Sequence, residues 1–283
     1  MEENKVMEQK IENEDELFHF VEYSPEAAEM IGYSDYSYWK SVFQNFLKKK
    51  SAVIMSCVFI GLVVFSFIAL AIGKYDYASL VTDSSKAFIN PNSEYWFGTD
   101  NIGRDYWYQV WYAAQTSIKL ALIVGIGECA VGITIGCLWG YVRKLDTFFT
   151  ELYNIINSVP QIIYMTLIAL MIGQSFTIMC VSLIAFHWLV MARNVRNLVM
   201  IYRDREFNLA SRTLGTPIYR ILIKNLLPQL VSVIILRLAL SIPGTINMET
   251  TLSYLGLGLD INTPSLGILL RNARSYFLDY PYL

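Results

Sequence analysis

The chain has 283 residues, 54% of them hydrophobic and only 16% charged, with a mean hydropathy of +0.39. That composition excludes a soluble domain, and its long uncharged apolar runs imply a polytopic membrane protein. The formal net charge of −2 conceals two opposite regions: residues 1–36 hold 11 Asp/Glu against 2 Lys, a net of −9, which leaves the rest at +7.

Residues 1–37 have no apolar core, so they are not a cleavable signal peptide. Their composition predicts a solvated, largely disordered cytoplasmic tail, with a docking role as the alternative. Residues 38–50 form a short amphipathic run ending in Lys48, Lys49 and Lys50. Residues 51–72 follow without a charge and are long enough to cross a bilayer. The three lysines place the near end of that span in the cytoplasm. The first unit is thus 38–73, and 74–119 is read as an external loop. Its Trp96, Trp107, Trp111 and Tyr112 suit an interfacial belt.

The second span is expected over 120–142, ending at Arg143 and Lys144, a cytoplasmic signature. The third runs 147–172 with Pro160 as a kink or break, and Gly173 and Gln174 form its return. The fourth, 175–191, delivers the chain to Arg193 and Arg196. From Arg193 to Lys224 there are 7 Lys/Arg against 2 acids, so the loop 192–228 is cytoplasmic. A fifth span over 229–250 carries Pro243 and Gly244, and 251–283 is an external C-terminal segment. The cysteines Cys57, Cys129, Cys137 and Cys180 all lie in apolar segments with neither zinc-site nor disulfide spacing.

Residues 206–228, EFNLASRTLGTPIYRILIKNLLP, read as two short helices broken by a turn. Asp204 is a plausible N-cap for the first, and Phe207, Ala210 and Leu214 make one small apolar face. Gly215 can take the left-handed geometry that ends a helix. Thr216 then caps a second helix with Pro217 at its first position, whose stripe is Ile218, Ile221, Leu222 and Leu226. A helix–Gly–helix hook of this size, flanked by Arg212, Arg220 and Lys224, suits a groove in a partner protein.

Two charges lie deep in the spans. Glu128 is eight residues into the second, and Arg237 eight residues into the fifth, entered from the opposite side. At about 1.5 Å per residue they differ in depth by about 6 Å in a core of about 30 Å. Unpaired, each is costly, so they are expected to pair or to face one aqueous pathway. No phosphate-binding loop, Ser/His/Asp grouping or metal cluster is evident. The segment 97–105, FGTDNIGRD, reads as a turn in which Asp100 and Asp105 bracket Arg104.

The hook resembles the EAA loop of bacterial ABC importer permeases: Leu209, Ala210 and Ser211 stand where E-A-A would be, followed by Arg212, Gly215, Ile221 and Leu227-Pro228. The usual acid is replaced by Leu209, while Glu206 supplies a carboxylate one turn earlier. FGTDNIGRD resembles the FGTDxxGRD segment of oligopeptide/dipeptide permeases, and ETTLSYLGLGLDINTP (249–264) resembles their ExxLSFLGLG…TP segment. In order, the three span about Tyr38 to the C-terminus and resemble the C-type (OppC/DppC-like) transmembrane subunit.

The resemblance implies an all-α, type I ABC importer transmembrane domain, multi-pass in the bacterial cytoplasmic membrane with a cytoplasmic N-terminus. The family expects six spans; about five are present, and the sequence stops about where the last helix would begin. It implies a peptide-uptake permease forming half of the pathway, without its own ATPase site or cofactor. ATP and Mg would be bound by two ATPase partner subunits. The other partners are a homologous permease, an external or periplasmic substrate-binding protein and the lipid bilayer, with no nucleic acid. ATPase docking falls to Glu206, Phe207, Ala210, Ser211, Arg212, Gly215, Pro217, Ile221 and Pro228. The external gate or binding-protein contact falls to Gly98, Thr99, Asp100, Gly103, Arg104, Asp105 and Glu249. Nickel or another small solute is the alternative cargo. An ion-coupled secondary transporter using Glu128, Arg237 and Glu249 as a charge relay, and a membrane enzyme, are the rivals from other classes.

Overall fold

The computed structural model describes residues 38–72, 84–260 and 263–283, so the expectation for the acidic tail lies outside the described residues. Helix α1, Tyr38–Lys48, is amphipathic. Helix α2, Lys50–Ile72, has 23 residues and no charge after its first. At about 1.5 Å per residue that is about 34 Å, enough for a bilayer core.

Helix α3, Tyr106–Tyr141, runs 36 residues and begins well before the expected residue 120. The reason is local. Asp105 has an extended backbone, and its carboxylate accepts the Trp107 N–H at 2.9 Å, supplying the N-cap that the polar residues Gln109, Gln115 and Lys119 hid from a hydropathy reading. Burial pushes the Asp105 carboxyl above its ordinary range, and the Trp107 N–H only partly offsets this. Asp105→Ala is therefore expected to cost about 1 kcal/mol. Asp105→Asn, which caps equally well without a buried charge, should leave thermal stability unchanged, as read by melting of the purified protein.

Helix α6, Phe176–Arg203, also overruns its expected end, because its apolar face continues through Val195 and Val199 beyond Arg193. It packs along α3 through Gly132, Gly136 and Gly140. A Cβ built on Gly136 would lie 2.5 Å from the Ala192 carbonyl oxygen, and one on Gly140 2.7 Å from that of Arg196. At the other end Leu120 and Val124 cluster with Met179, Cys180 and Leu183. Residue numbers rise together along the interface, so α3 and α6 are parallel.

That packing decides the role of the segment between them. Helices α4, Arg143–Asn157, and α5, Gln161–Met171, are bent by 78° at a break containing Pro160. The chain leaves α3 beside Arg196 and Val199 and must re-enter beside Leu120, some twenty residues back along α3, or about 30 Å. The bent pair is therefore a crossing, and with α2 the described residues hold five. Asp146 on α4 accepts from Trp139 Nε1 at 2.9 Å and takes Arg196 on both oxygens at 2.6 and 2.8 Å, tying α3, α4 and α6 together.

Helix α7 is Glu206–Thr213. Helix α8 runs unbroken from Ile218 to Tyr254, 37 residues, with a π-type turn at Ile221–Leu226 and Pro243 inside it. It lies antiparallel to α3: Ser117 donates to Glu249 at 3.2 Å, and eight residues on, a Cβ at Gly125 would meet Ser241 Oγ at 3.3 Å. Helix α9, Leu266–Arg274, is the last helix among the described residues.

Candidate functional site

The hook differs from its sequence reading in three places. Asp204 does not cap α7. It closes α6, and its carboxylate pairs with Arg203 at 3.1 Å and Arg212 at 3.7 Å, leaving Arg205 at the α7 N-cap without a side-chain bond. Pro217 stands one position before the next helix rather than inside it, so Thr216 is not its cap. The second short helix does not stop either. Its residues are the root of α8, because the π turn lets the backbone pass into the span. Gly215 adopts φ +74°, the left-handed turn that a Cβ would disfavour.

The root is held by polar contacts. Asn208, fully buried, donates to the Tyr202 carbonyl at 2.8 Å, while Asn225 donates to both Asn208 Oδ1 and Ser211 Oγ at 3.1 Å. Arg212 Nε donates to the Tyr141 hydroxyl at 3.0 Å, and Arg203 to the Gly140 carbonyl at 2.8 Å. The hook is thus bonded to α3, α6 and α8 together. Its tip faces away: Glu206 and Ala210 are exposed, and Phe207 and Leu214 are 47% and 84% exposed. Ile221, expected at the docking face, is instead buried in the core with Val199 and Leu226, because the π turn rotates it inward. Ser211 also points inward, and Pro228 lies exposed on α8 beyond the turn. Asn208, Asn225 and Tyr141 were not singled out from the sequence.

Midway along the spans is a cavity of about 410 Å³ lined by Glu128, Gln161, His187, Arg237, Ser241 and Thr245, with Leu240 and Met248 among its apolar walls. Glu128 and Arg237 share it but are not an ion pair. The antiparallel register puts Glu128 level with Leu238. Arg237 is therefore at the right depth, about 100° round the helix from that contact, and exposed. The partner of Glu128 is His187, whose Nδ1 lies 3.4 Å from the carboxylate, while His187 Nε2 accepts from Gln161.

At the opposite end from the hook, the FGTDNIGRD segment closes on itself. Asp100 accepts from the N–H groups of Ile102 at 3.0 Å and Arg104 at 2.8 Å, from Arg104 Nε at 2.8 Å and from Gln109 at 3.0 Å. Thr99 donates to the Lys86 carbonyl at 2.6 Å. Gly98 and Gly103 have φ of +75° and +81°. Trp96, Phe97, Trp107 and Trp111 pack edge-on as a cluster.

Glu249 is fully buried and accepts from three hydroxyls: Ser253 at 2.7 Å, Ser265 at 2.6 Å and Ser117 at 3.2 Å. Each serine in turn accepts a backbone N–H, from Leu259, Ile268 and Leu266 respectively. Thr99, Asp100 and Glu249 thus turn inward to shape this end.

Comparison with known proteins gives concordant matches. A family described as binding-protein-dependent transport system inner membrane component matches residues 132–278, and one described as the N-terminal transmembrane domain of oligopeptide transport permease C matches 37–92. The chain is 39% identical over 270 residues to the oligopeptide transport system permease protein AmiD of Streptococcus pneumoniae, covering 95% of this chain and 88% of that one. It is 30% identical over 258 residues to the dipeptide transport system permease protein DppC of Bacillus subtilis, covering 90% and 79%. Over 260 residues it is 28% identical to the oligopeptide transport system permease protein OppC of the same organism, covering 90% and 83%.

Proposed function

Because the chain belongs to the family of binding-protein-dependent transport system inner membrane components, we propose how it works as a permease subunit of peptide uptake. Its relatives carry oligopeptide and dipeptide permease names. The observation that carries the mechanism is the hook, an exposed apolar tip on a root bonded to three spans. A separate ATPase that gripped Phe207, Ala210 and Leu214 would move the adjoining ends of α3, α6 and α8 together, since Asn208, Asn225, Arg203 and Arg212 bond them to one another and to the hook. ATP and Mg belong to that partner. A homologous permease completes the pathway, and an external binding protein delivers peptide at the Glu249 end. The hook and the N-terminus then lie in the cytoplasm, as the lysines and arginines bordering the spans favour.

A charge relay through Glu128, Arg237 and Glu249 fits less well, because Glu249 is enclosed by serines and does not line the cavity. The test is a pull-down from membranes with this chain tagged. Wild type should retain a second permease and two ATPases, and Phe207→Asp with Leu214→Asp should lose only the ATPases. A wild-type chain that purifies alone yet still moves peptide would overturn the reading.

A further inference from the structure

The central cavity contains two features that the fold itself does not account for. Arg237 has no carboxylate within 4.0 Å among the described residues, although it sits near the middle of a span. Thr245, two turns along the same helix face and 1% exposed, has a hydroxyl without any hydrogen-bond partner. Both line the cavity, opposite the Glu128–His187–Gln161 chain, whose members already satisfy one another. A guanidinium near the middle of a span with no carboxylate beside it calls for an anion, and an orphaned buried hydroxyl calls for a polar group brought in from outside.

Resting on the peptide-permease reading above, we infer that this cavity is a recognition point for peptides in transit, with Arg237 taking the free α-carboxylate and Thr245 a main-chain amide. Guanidinium and carboxylate match as a planar, two-pronged pair. A cavity of about 410 Å³ falls in the range of small-ligand sites. It holds the C-terminal end of a peptide while the rest extends beyond it. The Glu128 carboxylate on the opposite wall disfavours a second anion and so sets the polarity of entry. Ser241, one turn from both Arg237 and Thr245, keeps that face polar between them.

The test uses the complete transporter in proteoliposomes, with one labelled tripeptide as free acid and as C-terminal amide. Uptake by each variant is divided by that of wild type for the same peptide, so that any preference of the binding protein cancels. Arg237→Gln should lower free-acid uptake about tenfold, the worth of one charge-assisted contact, and leave the amide unchanged. Arg237→Lys should recover part of the loss. Thr245→Val should lower both peptides by the same few-fold factor. Equal losses of acid and amide in Arg237→Gln, or no loss of either, would overturn the inference. So would loss of the second permease on purification, because Arg237 would then be answering an acid on that subunit. A wild-type transporter that takes up neither peptide in an ATP-dependent way fails the function itself, a result distinct from all of these.

Discussion

Glu249→Ala is expected to lower the stability of the purified chain by about 4 kcal/mol, seen as a large drop in melting temperature and in yield from membranes. The carboxylate collects three hydroxyl protons in a site closed to solvent. Those same serines hold the backbone of the turn after α8 and of the first turn of α9. Removing the acid leaves three donors without an acceptor and opens a void. Glu249→Gln keeps the volume and part of the acceptor capacity, so its cost should be less than half as great. If alanine and glutamine were equally mild, the cluster would be incidental to the fold.

The second large effect is expected at Gly136. A side chain there meets backbone, the Ala192 carbonyl oxygen at 2.5 Å and its Cα at 2.9 Å, rather than a flexible neighbour that could swing aside. Gly136→Leu must therefore part α3 from α6, at a cost of about 3 kcal/mol or more. The movement would carry to the Arg203–Gly140 and Arg212–Tyr141 bonds one turn further on. Uptake and hook docking should fail together, whereas Gly61→Leu, with open space around it, should be silent. Parallel measurements of melting and of ATPase co-purification check both halves.

Much of this architecture was legible in the residues. Hydropathy located the spans because lipid demands a minimum apolar length, and Gly215 announced its turn because few other residues accept that backbone. The depth of Glu128 and Arg237 followed from helical rise alone. Their azimuth did not, since it depends on which face of α8 meets α3, and that is fixed by Gly125 fitting beneath Leu238 and Ser241. His187, alone in its span, offered no sign that Glu128 would be its partner. The Asn208–Asn225 contact joins residues 17 apart that look like ordinary surface amides until the turn at Gly215 folds one onto the other. The start of α3 was misread because Gln109 there faces protein instead of water, and that of α8 because the π turn carries the hook's exposed basic residues straight into the span.

The long helix α8 has two places where its regular ladder is interrupted, the π turn at Ile221–Leu226 and Pro243. Proline has no N–H to offer the Ala239 carbonyl, and the wider turn stretches its own bonds, so bending stiffness is lowest at both. The stretch between them behaves as a splint hinged at either end, with one mounting at the hook and the other at the serine-lined acid. At about 1.5 Å per residue the splint is about 24 Å long, so a tilt of about 10° sweeps its free end through about 4 Å. Arg237 rides on it about 9 Å from the Pro243 pivot, so the same tilt shifts its backbone by about 1.6 Å while the far end stays still.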